Sequence, residues 1–87
     1  MERTNYDEKA AVLSEGLLMA YWQALELRFE AKRLGMWTEE AQSAWENLNS
    51  AYCNGICAVA EKNYPEGQAA LDNLNRNMAY LPQEAAR

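Results

Sequence analysis

The chain has 87 residues, with 13 acidic against 8 basic side chains, no histidine and 2 cysteines. A net charge of −5 argues against direct contact with nucleic acid or an anionic membrane, both of which call for a basic face. Without imidazole there is no histidine general base and no Ser–His or Cys–His nucleophile pair, and two thiols are too few for a disulfide framework or a closed zinc site.

This length supports one domain. A chain of this size buries only roughly 60–65 % of the surface it exposes when unfolded, so dense packing or self-association has to supply stability. The β-branched residues are Thr4, Val12, Thr38, Ile56 and Val59 alone, a composition that favours helices and starves strands. No stretch approaches the roughly 20 apolar residues of a membrane span, and the N-terminal residues do not resemble a signal peptide. A cytoplasmic chain with reduced thiols is the expectation.

The first predicted helix runs from about Tyr6 to Leu34. Asn5 is its expected N-cap, with Glu8 completing a capping box. Arg28, Lys32 and Arg33 suit the negative helix end, and Gly35 suits the left-handed position that follows it. On a helical wheel, Leu13, Leu17, Ala20, Ala24, Leu27, Ala31 and Leu34 cluster within roughly 60° and form the expected core stripe. A second apolar stripe of Leu18, Trp22, Leu25 and Phe29 lies about 120–180° away. Two apolar faces make this helix central to the bundle, or turn one face toward another chain.

Trp37 precedes Thr38, the expected N-cap of the second helix, and either packs back as a hydrophobic staple or serves as a binding anchor. The second helix runs over about 38–62, with Asn63 as its stop. Asn54-Gly55 could split it, but continuity is favoured because Ala41, Trp45, Leu48, Tyr52, Ile56 and Val59 keep one apolar face in register. Cys53 and Cys57 stand one turn apart, a spacing poorly suited to a disulfide. From Leu34 to Glu61 there is no Lys or Arg, which reads as a solvated acidic face. Asn47, Asn49, Asn54, Asn73, Asn75 and Asn77 read as decoration of exposed faces.

The third predicted helix covers 65–81, opened by Pro65 and stopped by Pro82. Gly67, Leu71, Leu74, Met78 and Leu81 form its stripe. Residues 82–87 are expected to be a flexible tail beyond a single helical domain of residues 1–81. Trp45-x-x-Leu48-x-x-x-Tyr52 resembles the first-helix signature of a tetratricopeptide repeat, and Tyr64-Pro65-Glu66-Gly67 is similar to the start of its second helix. Asn49 replaces the glycine of that pattern, the helix exceeds the repeat length and no second copy follows, so the chain is not assigned to the family.

The expected fold is therefore all-α, a three-helix antiparallel bundle built on a long helical hairpin, with a dimer as a further expectation. At 1.5 Å per residue the helices measure roughly 43, 37 and 24 Å, so the third cannot cover the whole hairpin. The expected function is non-enzymatic, with no cofactor and no metal. It is a protein–protein interaction module, acting as adaptor, regulator or inhibitor, that docks Leu18, Trp22, Leu25, Phe29 and Trp37 on a protein partner or in a homodimer. The alternatives are a small-molecule binder with a Tyr/Trp-lined pocket and a structural subunit of a helical assembly.

Overall fold

A computed structural model describes residues 7–83. Three helices, α1 (Glu8–Arg33), α2 (Glu39–Ala60) and α3 (Tyr64–Met78), account for the regular structure, and no strand occurs among the described residues. The helices pack on one hydrophobic core within an envelope of 53 × 20 × 13 Å.

Each helix start is set by a side chain that satisfies an otherwise orphaned amide. Asp7 caps α1, its Oδ1 accepting from the Ala10 N–H at 3.2 Å. The N-cap expected at Asn5 lies outside the described residues. Thr38 caps α2 by accepting from the Ala41 N–H at 3.0 Å. Asn63, expected to stop α2, also caps α3 by accepting from the Glu66 N–H at 3.4 Å.

The ends of α1 and α2 share one device. Gly35 adopts a φ of 72°, and the Met36 N–H reaches back to the Ala31 carbonyl at 2.7 Å. Lys62 takes the same left-handed position at φ 62°, and the Asn63 N–H reaches the Ala58 carbonyl at 2.8 Å. Both are six-to-one closures that satisfy terminal carbonyls. They turn the chain sharply and leave short connections. Between them α2 runs unbroken through Asn54-Gly55.

The third helix ends three residues before the expected Leu81. Pro82 disfavours helical backbone at the residue before it and offers no amide of its own. Tyr80 and Leu81 close a turn onto the Asn77 and Met78 carbonyls, and this turn still buries Leu81. Gln83, expected in the tail, donates to the Met78 carbonyl at 2.7 Å and to that of Leu81 at 2.9 Å. Residues 84–87 lie outside the described residues.

Alanine supplies half of the buried core, with Leu17, Leu48 and Leu74 as its fully buried large side chains. Small faces let helix axes approach closely. The closest approach centres on Gly55 in α2. A β-carbon there would meet both methyls of Leu17 in α1 at 2.8 and 2.9 Å and Ala70 Cβ in α3 at 3.1 Å. One turn into α3, Gly67 lies beside Val59 and Leu13 in the same way.

A polar tie closes the end of the bundle where α1 and α3 begin: the Tyr64 hydroxyl donates to Asp7 Oδ2. Asp7 thus serves as helix cap and tertiary anchor at once. Asp7→Ala is expected to lower stability by about 1–2 kcal/mol, since both bonds are lost. Tyr64→Phe should cost less, because the cap survives. Thermal melts followed by far-ultraviolet circular dichroism check the order of the two variants; equal melting temperatures for Asp7→Ala and the parent would show that the cap contributes nothing.

Candidate interaction surface

The buried side of α1 consists of Leu13, Leu17, Ala20, Ala24, Leu27 and Ala31. Leu34, assigned to this stripe from its spacing, is half exposed instead, since the helix has ended and Leu34 is its C-cap. Helix α2 covers one shoulder of the stripe, where Leu17 meets Gly55 and Tyr21 meets Asn49 and Tyr52. Helix α3 covers the other shoulder, where Gly16 meets Leu71 and Leu13 meets Gly67. Neither shoulder is the face opposite the core.

That outer face carries the second apolar stripe. Leu18 is 54 %, Trp22 61 % and Phe29 69 % exposed. Leu25, at the edge of the row, is half-buried. Met19 and Val12 are also exposed, beside the stripe. Their spacing of seven was the available sign that the apolar surface is broader than four residues. Because α3 ends at Met78, an open cleft of about 920 Å³ runs along this part of α1, lined by Trp22, Leu25, Phe29, Glu26, Arg33 and Met78. At the rim Arg33 donates to Glu30 Oε1 at 2.6 Å.

Trp37 is not brought to this face. It is half-buried in the seam between α1 and α2, where its indole N–H donates to Gln42 Oε1 at 2.9 Å. The Lys32 ammonium stands 5.7 Å from its ring and the Arg28 guanidinium 5.9 Å. Arg28 also lies 4.9 Å from the Trp45 ring. These are cation–π distances, so the two basic residues shelter tryptophans as well as ending a helix. The Arg28 Nε is buried without a hydrogen-bond partner, held there by the flanking rings.

The seam continues through Tyr21, stacked on Tyr52 at 4.2 Å and tilted against Trp45 at 5.6 Å. Its hydroxyl donates to Asn49 Oδ1 at 2.6 Å, so one of the asparagines read as surface decoration joins two helices. Burial pushes the Tyr21 phenol above its ordinary range, and Cys53 and Tyr52 add to this while Arg28 opposes it. The hydroxyl therefore stays a donor at neutral pH. These aromatics pack on one another and are not spread around a cavity. Cys53 and Cys57 are both free and exposed, and among the described residues no three His, Cys, Asp or Glu side chains are grouped to hold a metal ion. No described helix is long and apolar enough to cross a membrane.

Chemically, the outer face of α1 can do one thing well. It can remove apolar area from water, at roughly 1.5–3 kcal/mol for each large side chain fully buried. No protein-family model, curated protein or solved structure matches this chain.

Proposed function

We propose that this chain is a non-catalytic protein–protein interaction module whose docking face is the outer side of α1, with Leu18, Trp22 and Phe29 as anchors and Leu25 at the edge. The observation that carries the reading is an apolar row of three exposed side chains and one half-buried one, on a helix whose core needs are already met by its opposite side. Aromatic anchors in a patch of this kind are typical binding hot spots. The helices form an antiparallel succession in this reading. Its support is the order of contacts: Leu17 with Gly55 and Tyr21 with Asn49, then Gly67 with Val59. Such a hairpin gives α1 a rigid backing.

A photo-crosslinking residue at Glu26, beside the stripe, tests the reading against the same residue at Ser50, which is exposed on α2. Discrete protein adducts are expected from position 26 and not from position 50. Leu18→Glu with Phe29→Glu should abolish them, with binding weakened at least tenfold. The fold should survive, because exposed substitutions usually change stability by no more than about 0.5 kcal/mol each. Adducts of equal yield from both positions would sink the assignment of the face. Global unfolding of the double variant would show that the stripe is core.

A further inference from the structure

We infer that the outer face of α1 docks on a second copy of this chain, α1 against α1, running antiparallel about a twofold axis between residues 23 and 24. This rests on the preceding reading of the outer face as the docking surface and names its occupant.

The first argument is the spacing. Leu18, Trp22, Leu25 and Phe29 are separated by four, three and four residues, which reads the same in both directions. A twofold interface is isologous, and when the helices run antiparallel the residue set must also map onto itself when reversed. Here Leu18 falls opposite Phe29 of the second copy, and Trp22 opposite Leu25. Each pairing sets a large ring against a smaller aliphatic chain, the combination that interdigitates without voids.

The second argument is charge. Along the rim of the stripe the first half of α1 carries Glu8 and Glu15, and its second half carries Glu26 and Glu30 and then Lys32 and Arg33 in the last turn. Glu26 approaches its counterpart in either direction, so the choice of direction falls to Glu15 and the two terminal cations. In the antiparallel register Glu15 lies beside Arg33 of the second copy, twice by symmetry. Glu15 and Arg33 are both exposed. Arg33 is already oriented by Glu30 in its own helix. A parallel pairing would instead gather Lys32 and Arg33 of one copy beside those of the other. Like charges so placed disfavour that arrangement.

The third argument is size. Trp22, Phe29 and Leu18 are each more than half exposed, so each copy removes three large apolar side chains from water on pairing. One helix face is small beside a standard interface of about 1,600 Å² in total, which places the contact among the weak, reversible class.

Sedimentation equilibrium across a dilution series around micromolar concentration tests the inference. The expected result is a reversible monomer–dimer equilibrium that Leu18→Glu with Phe29→Glu abolishes. Glu15→Arg alone and Arg33→Glu alone should each weaken the dimer by about fivefold, the range for exposed ion pairs lost twice. Glu15→Arg combined with Arg33→Glu should restore it. A monomer at all concentrations overturns the self-pairing, as does a dimer that survives the Leu18/Phe29 double variant. Failure of the charge exchange to rescue overturns the antiparallel register. If the chain is monomeric while position 26 still crosslinks to a different protein, the docking-face reading stands and only its occupant is wrong. If neither self-association nor any adduct from position 26 occurs, both fall.

Discussion

Gly55→Val is expected to lower stability by about 3 kcal/mol or more, a large share of the roughly 4–13 kcal/mol typical for a domain of this length. Overpacking a filled core typically costs about 1–3 kcal/mol, and this site is worse than typical. The first added carbon alone would stand 2.8 Å from a Leu17 methyl and 3.1 Å from Ala70. Leu17 is fully buried, so its methyls cannot swing out into solvent to make room. Ala70 is backbone-anchored and cannot swing away. The branched carbons of valine must then push α1 and α3 apart together. Gly16 supplies the contrast. Its nearest neighbour is a Leu71 methyl at 3.2 Å, on a side chain with solvent beside it. Alanine at 16 should therefore be close to neutral, since a gain of up to about 1 kcal/mol in helix propensity offsets the contact. Urea titrations of both variants check this. A Gly55→Val protein with a parental midpoint would mean that the three helices do not meet at that residue.

Leu74→Ala is expected to cost about 3–5 kcal/mol, the upper part of the range for fully buried leucines. Within α3 only Gly67 and Leu74 are buried, and glycine offers no side chain to hold the helix down. Leu74, fully buried, is the main apolar anchor of a 15-residue helix. A helix that short is marginal in water without tertiary packing. Its loss should therefore be local before it is global. Amide exchange in α3 should accelerate far more than in the middle of α1 and α2, and the urea midpoint should fall. Uniform acceleration across all three helices would instead make the bundle one cooperative unit.

Much of this architecture is legible in the sequence because it rests on local rules. Thr38 and Gly35 announce a helix start and a helix end, and the spacing of Leu13, Leu17, Ala20, Ala24, Leu27 and Ala31 marks one buried face of α1. The outer stripe is equally legible as a pattern. Its exposure is not, because that depends on which shoulder of α1 receives α3. Gly55 and Gly67 decide this by allowing backbone-level approach there, whereas a glycine in mid-helix reads first as a weakness. Trp37 escapes for a different reason. Its partners Arg28 and Lys32 sit nine and five positions back, and cation–π contact leaves no trace in hydrophobic periodicity. The end of α3 was misplaced because a proline acts on the residue before it, so Pro82 ends regular helix upstream of itself while Leu81 stays in the core.

An interior made so largely of methyl groups alters the usual pattern of tolerance. In a leucine-rich protein most harmful substitutions are deletions of bulk. Here the alanines at 20, 24, 31, 41, 44, 51 and 58 already hold close to the smallest side chain available. Little remains there to delete, and almost any replacement adds volume between helix backbones. The molecule is therefore as sensitive to growth at its seven buried alanines as to truncation at its buried leucines. Genetic drift at these seven positions should run in a narrow channel of glycine, alanine and serine.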